Sequence, residues 1–296
     1  MTIAHEFDYL RPATLEEAVE ILAKHSGNVR VLAGGTDLVP WLRDEMIAPD
    51  LVVDIKRIEG LDRIDHEGDV VSIGSLVTFT DLLRSDLIAT RLPLITEMAG
   101  TVGSTGIRNR ATLVGNICSA VPSCDAGPVL LAYEAIVEIV GESGFRQIPI
   151  DTWFRGPRQT ALDRGEIVTK VIVPIPEGRH GAAYPRLSRY RGEDLAQASV
   201  AIVITPENHY RVAFGAVAPT PLRAQRIEAL LDGRTLDEQL LAGATVLVSE
   251  EVSPITDIRS TREYRLRMCE VMLNRGLKAA LARLEGNGPP YGTRLM

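Results

Sequence analysis

The chain has 296 residues, of which 45% are apolar and 24% are charged, and its formal net charge is −7. This length supports one or two hydrophobic cores, and the acidic balance excludes the clustered basic face that nucleic-acid binding requires. No apolar run approaches the roughly 18 residues of a membrane span, so we predict a globular protein without one.

Residues 1–58 predict a small α/β unit. The segment Thr14–Glu17 has the form of a helix capping box, and the apolar residues that follow it recur at helical spacing. Gly27 is a natural stop for this helix. Strands are then predicted at Val29–Ala33 and Leu51–Ile55. Between them, a short helix is predicted at Asp37–Met46, and its first turn must hold Pro40.

Residues 59–177 predict short strands and helices around a glycine-bearing segment. The predicted strands are Val70–Ile73, Ile136–Val140, Phe145–Ile150 and Glu166–Val173. The predicted helices are near Asp81–Ser85, Ile88–Met98 and Gly127–Leu131. Two prolines and a glycine in Pro174–Gly178 resist regular structure and indicate a linker.

Residues 178–296 predict a second domain, in which a few strands are covered by helices. Strand signals at Ser199–Thr205 and Val212–Ala218 precede three predicted helices. Thr235–Glu238 and Ser260–Glu263 are candidate capping boxes for two of these helices. The last helix carries four leucines on roughly one face: Leu266, Leu273, Leu277 and Leu281.

The segment Val31–Leu38 reads V-L-A-G-G-T-D-L and could receive a phosphate. Gly34 and Gly35 lack a Cβ atom, so the backbone can turn sharply and approach a pyrophosphate closely. Thr36 could add a hydroxyl hydrogen bond. Free backbone N–H groups in such a turn attract anions.

A second glycine-bearing segment runs from Ile107 to Asp125, and we interpret it as a loop. Thr112 and Asn116 offer side-chain donors there, and Gly115 allows close approach of the backbone. Asp125 is an acceptor of the kind that holds a ribose or ribityl hydroxyl. The sequence therefore predicts that two segments, well separated along the chain, bind one ligand.

The two segments together resemble the FAD-binding flavoprotein subunit of the molybdenum hydroxylase family, which includes xanthine dehydrogenase and carbon monoxide dehydrogenase. In that family an A-G-G-T loop and an I-R-N-x-A-T-x-x-G-N segment followed by P-x-x-D grip FAD from two sides. The resemblance implies these cofactor-binding residues: Val31, Leu32, Ala33, Gly34, Gly35, Thr36, Asp37, Leu38, Val102, Thr112, Leu113, Val114, Gly115, Asn116, Asp125, Ile167 and Arg186.

This chain departs from the family pattern in two places. The family usually has two adjacent glycines before the asparagine, and this chain has Val114 and Gly115. A valine tolerates positive φ poorly, so Val114 must hold an ordinary backbone conformation. Arg186 stands where the family more often has a lysine that reaches the cofactor, and Ile167 corresponds to an apolar residue near the flavin.

The resemblance extends over nearly the whole chain and implies an α+β fold. A PCMH-type FAD-binding domain (residues 1–177) would consist of two α/β subdomains (about 1–58 and 59–177), followed by a smaller C-terminal α+β domain (178–296). It further implies an electron-transfer role in a heterotrimer, with a molybdenum–pterin large subunit and a small subunit carrying two [2Fe–2S] clusters. Such heterotrimers could dimerise. The acceptor (NAD⁺, a quinone, oxygen or another) and the substrate stay open.

Two other functions stay open at this point. A stand-alone FAD oxidase of the vanillyl-alcohol-oxidase type often tethers its flavin covalently, and Cys118 lies in the second segment. The chain could instead be a non-redox interaction module that has lost its flavin. Residues 100–106 lack the G-x-G-x-x-G dinucleotide spacing, and we identify neither a P-loop nor a catalytic acid, base or metal site.

The cysteine content favours a reducing cytoplasm, and neither the cysteines nor the histidines indicate a metal site. Cys118, Cys124 and Cys269 are an odd number without paired spacing, and three thiolates cannot hold an iron–sulfur cluster. The five histidines have no metal-ligand spacing. Residues 1–8 lack a basic stretch followed by an apolar one, so we expect no signal peptide and a cytoplasmic location.

Overall fold

The computed structural model describes residues 3–190 and 194–296. Met1 and Thr2, which begin the N-terminal segment considered above, lie outside the described residues, as do residues 191–193. The described chain contains three main sheets with helices packed against them, which confirms the predicted α+β fold.

The N-terminal sheet is parallel and has the strand order β1-β3-β2. Its strands and the helices between them are β1 (Asp8–Leu10), α1 (Leu15–Lys24), β2 (Val29–Leu32), α2 (Leu38–Arg43) and β3 (Leu51–Asp54). The two predicted strands and both predicted helices are confirmed, with α2 shorter than expected and Pro40 in its first turn. Strand β1 had no signal in the sequence pattern.

Helix α1 begins as its capping residues predict and ends earlier than expected. The Thr14 hydroxyl accepts from the N–H of Glu17 at 3.2 Å, while the Glu17 carboxylate accepts from the N–H of Ala13 at 2.7 Å. The helix stops at Lys24, so the prediction that Gly27 ends it is wrong. Gly27 serves packing instead, because a Cβ there would overlap the Asp50 carboxylate.

The middle region is an antiparallel sheet with the strand order β4-β5-β10-β6-β7 and a group of short helices. The strands, including a two-stranded β8–β9 pair, are β4 (Ile64–Glu67), β5 (Val70–Gly74), β6 (Ile136–Gly141), β7 (Gly144–Pro149), β8 (Phe154–Gly156), β9 (Gln159–Thr160) and β10 (Ile167–Pro174). The helices are α3 (Phe79–Arg84), α4 (Asp86–Arg91), α5 (Pro93–Ala99), α6 (Thr105–Arg108), α7 (Leu113–Ser119) and α8 (Ala126–Ala132).

The single helix predicted over residues 88–98 is two helices. Helix α4 ends at Arg91, and Pro93 starts α5 at the position where a missing N–H costs least. Leu92 between them has φ −134° and ψ 56°, so the helical path is broken there.

The C-terminal sheet is antiparallel with the order β11-β13-β14-β15, and β12 also pairs with β13. Its elements are β11 (Gly181–Ala183), β12 (Arg186–Leu187), β13 (Ala198–Ile204), β14 (Tyr210–Gly215), β15 (Leu222–Arg223), α9 (Gln225–Leu231), α10 (Glu238–Glu251) and α11 (Arg262–Glu285). Both predicted capping boxes are misplaced: Asp237 caps α10 and Thr261 caps α11, so Thr235 and Ser260 do not.

One hydrophobic core runs from the middle sheet into the C-terminal sheet. Helix α8 is buried along its whole length and packs against β13 and β14. A Cβ at Gly127 would lie 2.5 Å from Pro221, and a Cβ at Gly215 would lie 2.9 Å from Pro128. The two glycines thus let α8 approach the C-terminal sheet closely. None of the helices in the described ranges is long and apolar enough to cross a membrane.

Candidate functional site

The first glycine segment leaves the end of β2 and turns into α2. Gly35 has φ +82°, a left-handed conformation that glycine adopts without strain. Gly34 lies against the second segment, because a Cβ there would overlap the carbonyl oxygen of Arg110. The two glycines therefore have different tasks: Gly35 makes the turn, and Gly34 lets the two segments meet.

This segment presents backbone donors. Among residues 3–190 and 194–296, the N–H groups of Gly34, Gly35 and Thr36 have no hydrogen-bond partner. The carbonyl oxygen of Gly35 accepts from the N–H of Val39 at 2.9 Å, which fixes the start of α2. Successive unpartnered N–H groups in a turn are the donor set that binds phosphate oxygens. The residues of this turn thus fit a pyrophosphate.

The buried carboxylate of Asp54 is linked to the first glycine segment through Lys56. Lys56 forms an ion pair of 2.7 Å with Asp54 at the end of β3, and its Nζ donates to the carbonyl oxygen of Ala33 at 3.4 Å. Burial alone would raise the pKa of Asp54, but hydrogen bonds from Lys56 and Tyr9 lower it below its ordinary value. Asp54 therefore stays charged at neutral pH, and Lys56 links it to Ala33 of the first glycine segment.

Part of the second segment is a helix, and this corrects its interpretation as a loop. Residues 113–119 form α7, and the Thr112 hydroxyl caps it by accepting from the N–H of Gly115 at 2.9 Å. Val114 lies inside the helix with an ordinary backbone conformation, as predicted. Thr112 is therefore occupied as a cap and is 3% exposed. A Cβ at Gly115 would lie 2.7 Å from the Thr112 hydroxyl, so the glycine permits this cap.

Asn116 lies within α7, and Asp125 directly precedes α8. The Asn116 Oδ1 accepts from the N–H of Ala126 at 3.0 Å. Asp125 Oδ1 accepts from Arg186 Nε at 2.7 Å and from the Tyr184 hydroxyl at 3.0 Å. The structure thus brings Asp125 and Arg186 together, and each is occupied by the other.

Arg186 keeps part of its donor capacity. Its Nη2 donates to the carbonyl oxygen of Asp194 at 2.7 Å and more weakly to Asp125 at 3.3 Å. Its Nη1 has no hydrogen-bond partner among the residues that the structure describes. Burial opposes its charge, yet the neighbouring Asp125 raises the pKa of Arg186 above its ordinary value.

The apolar residues implied by the resemblance lie in three hydrophobic clusters. Ile167 is 2% exposed in a core cluster that Val31 and Ala33 also pack against. Leu32 and Leu38 belong to a neighbouring small cluster. Three others are buried in the main core: Val102, Leu113 and Val114. Their side chains are occupied by packing within the chain.

Sequence reasoning missed one residue that connects the two segments. Ser119 Oγ, at the end of α7, donates to Asp37 Oδ2 at 2.5 Å. The partners are 82 positions apart, so no local pattern announces the contact. The contact between the Tyr184 hydroxyl and Asp125 was likewise not expected.

The cysteines in this region are protonated thiols. Burial raises the pKa of Cys118 to about 12. Burial is also the main cause that raises the pKa of Cys124 to about 12, and the charges of Asp125 and Asp37 add to it. A thiol with such a pKa forms little thiolate at neutral pH, which disfavours Cys118 as a covalent flavin tether.

Comparisons with known proteins agree with this arrangement. Residues 5–176 match the family model described as the FAD binding domain in molybdopterin dehydrogenase, and residues 182–280 match the CO dehydrogenase flavoprotein C-terminal domain. The chain belongs to this family. FAD is therefore its cofactor, and the chain is a flavoprotein subunit of an oxidoreductase.

Individual relatives cover almost the whole chain. The carbon monoxide dehydrogenase medium chain of Afipia carboxidovorans is 34% identical over 95% of this chain and 99% of its own length. The xanthine dehydrogenase FAD-binding subunit of Escherichia coli O157:H7 is 31% identical over 94% of this chain and 97% of its own length.

A solved structure shows the same fold. Carbon monoxide dehydrogenase from Hydrogenophaga pseudoflava, in a form that lacks the Mo-pyranopterin moiety of the molybdenum cofactor, superposes with a TM-score of 0.92. It is 33% identical and covers 96% of this chain and 99% of its own. The predicted family, fold and cofactor are thereby confirmed.

Proposed function

We propose that this chain is the electron-transfer subunit of a molybdenum–pterin dehydrogenase complex. FAD would take electrons from [2Fe–2S] clusters on a small subunit and pass them to an external acceptor, while a large subunit oxidises the substrate. The relatives act on different substrates, among them carbon monoxide, glyceraldehyde and caffeine, although they align along nearly their full lengths. This is expected if the substrate site lies outside the flavoprotein.

The observation that carries the proposal is the turn Gly34–Thr36, whose three N–H groups have no partner among the described residues. We propose that these groups hold the FAD pyrophosphate and that α7 and the Asp125–Arg186 pair border the cofactor. The isoalloxazine ring supplies the redox chemistry, and the chain supplies binding and positioning. Most of the other apolar residues named above would shape the walls through packing.

The domain limits, location and assembly are part of the same proposal. Residues 1–177 would form the FAD-binding domain and residues 178–296 the C-terminal domain. The heterotrimer would be cytoplasmic and could pair into a dimer of heterotrimers. The three thiols, none of them in a disulfide, are consistent with a reducing compartment.

The site itself can be tested with two glycine variants. Gly35→Val should abolish FAD binding, because a branched residue is strained at φ +82° and its Cβ would lie 2.9 Å from the Leu32 side chain, so the turn would have to move. Gly60→Val is the matched control: Gly60 has φ +83° and a Cβ there meets nothing within 4 Å. FAD content and affinity are measured on the purified chains. Retention of FAD by Gly35→Val, or equal loss in both variants, would contradict the site.

The relay can be tested by separating the subunits. The FAD-loaded chain alone should not oxidise purines, aldehydes, N-heterocycles or acyl-CoA esters with a dye acceptor. Activity should return when the molybdenum and iron–sulfur subunits are added. Turnover by the isolated chain would instead support the stand-alone oxidase. Native mass spectrometry of the complex, with metal analysis, identifies the partners directly.

A further inference from the structure

The first glycine segment contacts the second one at two places, shortly before α7 and at the end of α7. At the start of the helix, Gly34 lies against the backbone of Arg110. At its end, the Ser119 hydroxyl donates to the Asp37 carboxylate. The first of these contacts is backbone packing, whereas the second is a hydrogen bond to a charged group, which is stronger and more directional than one between neutral groups.

Asp37 is free for this contact because its own helix does not use it. A residue at the start of a helix commonly accepts from the N–H group two or three positions further on. Here the third position is Pro40, which has no N–H, and the N–H of Val39 donates to Gly35. The Asp37 side chain accordingly makes no capping bond and reaches across to Ser119.

We propose that Ser119 is a positioning residue for FAD, which holds the Asp37 carboxylate and so keeps the glycine turn closed against α7. This inference rests on the proposed function. The hydrogen bond fixes the turn Gly34–Thr36 relative to α7.

The experiment measures FAD dissociation from the purified full-length chain, followed as the rise of flavin fluorescence after dilution. Ser119→Ala should release FAD about tenfold faster than the parent chain, because a hydrogen bond to a charged group is lost. Ser119→Thr retains the hydroxyl and should keep the parent rate. Ser249→Ala is the matched control, since the Ser249 hydroxyl bonds within α10, far along the chain from both segments.

A mutant cycle distinguishes positioning through Asp37 from a general loss of structure. In the Asp37→Ala background, Ser119→Ala should cause no further acceleration, and the flavin-free Ser119→Ala chain should melt at the parent temperature. An unchanged dissociation rate in Ser119→Ala would overturn the inference, as would an acceleration that persists without Asp37 or one explained by a lower melting temperature. If the parent chain itself retained no FAD, the proposed function would fail, and the inference with it.

Discussion

Two buried arginine–carboxylate pairs join the middle region to the C-terminal sheet, and they differ in how fully they are satisfied. Glu97 on α5 pairs with Arg283 on α11, and Asp125 before α8 pairs with Arg186 on β12. Tyr184 contacts both pairs: its N–H donates to Glu97 at 3.1 Å and its hydroxyl to Asp125. The pairs therefore share a neighbour and a depth, which makes their difference informative.

The Glu97–Arg283 pair uses every donor that it has. Arg283 donates to both Glu97 oxygens at 2.9 Å, and its three other N–H groups donate to the carbonyl oxygens of Ala182, Pro289 and Pro290. The five N–H groups of a guanidinium are thereby satisfied. The ring of Tyr291 also lies 4.2 Å from the guanidinium carbon. Nothing remains for a ligand, so this pair is structural.

The Asp125–Arg186 pair is less complete. Arg186 has no partner for Nη1 among the described residues, and one of its bonds to Asp125 is 3.3 Å long. Arg186 is paired with Asp125 of the second glycine segment, and its Nη1, which has no partner among the described residues, could donate to a ligand. The two pairs are alike in burial and charge. They differ in how many N–H groups of the arginine have a hydrogen-bond partner among the described residues.

Removing the structural arginine should have the largest effect. Arg283→Met leaves Glu97 buried without its partner and should lower the free energy of unfolding by about 3–5 kcal/mol. The measurement is urea denaturation of the flavin-free chain. Arg267→Met, at an exposed position on the same helix, should change little.

The double variant Glu97→Met with Arg283→Met sharpens the point. An apolar pair of similar volume removes the unpaired charge, so it should recover much of the lost stability. A double variant as unstable as Arg283→Met would show that the bonds to the C-terminal backbone, rather than the ion pair, account for the effect.

Removing the arginine of the other pair should affect the cofactor more than the fold. Arg186→Met should weaken FAD binding by about 2 kcal/mol, the order expected for a hydrogen bond with a charged group. The loss in stability should be smaller than for Arg283→Met, because Asp125 keeps the hydroxyl of Tyr184. FAD affinity is measured by flavin fluorescence titration.

Arg186→Lys is the matched control for charge. It should retain FAD, since the family more often has lysine at this position. Lysine lacks the planar guanidinium that binds Asp125 at two points. If Arg186→Met bound FAD as the parent chain does, Nη1 would have no role in the cofactor site.

The sequence allowed prediction of what is local. The glycine turn, the Thr14 cap and most strands depend on neighbouring residues and were predicted correctly. Segment 113–119 was misjudged because Gly115 and Asn116 favour turns, whereas burial of Leu113 and Ile117 holds it helical. Each misplaced cap lay one or two residues from the side chain that forms the cap.

The ion pairs between distant parts of the chain could not be predicted, since no local pattern links their partners. Glu97 and Arg283 are 186 positions apart, and Asp125 and Arg186 are 61 apart. Both members of the second pair were named as cofactor residues from the resemblance, but nothing in the sequence indicated that they bind each other. Only the fold shows which of the two pairs keeps a donor without a partner among residues 3–190 and 194–296.

A third pair extends the comparison to a carboxylate that is only partly buried. Arg265 on α11 is buried, and its Nη2 lies 2.6 Å from Asp257 Oδ1, whose side chain is 24% exposed. The backbone N–H groups of Arg259 and Ser260 also donate to Asp257. Burial alone would raise the pKa of Asp257, but these donors lower it from 3.8 to about 2.

A lowered pKa in the folded state makes this pair a source of acid sensitivity. Above the ordinary pKa of 3.8, Asp257 is charged in both folded and unfolded chains and its contribution to stability is fully present. As the pH falls from about 4 to about 2, the unfolded chain takes up the proton first, and about 2 kcal/mol is lost. Asp257→Asn should remove this part of the pH dependence of urea unfolding. Asp62→Asn, at an exposed position, should leave that pH dependence unchanged. The free energy of unfolding could instead fall with pH equally in Asp257→Asn and in the parent chain between pH 4 and 2. Asp257 would then contribute no more than a surface carboxylate, and satisfied donors would matter only when the carboxylate itself is buried.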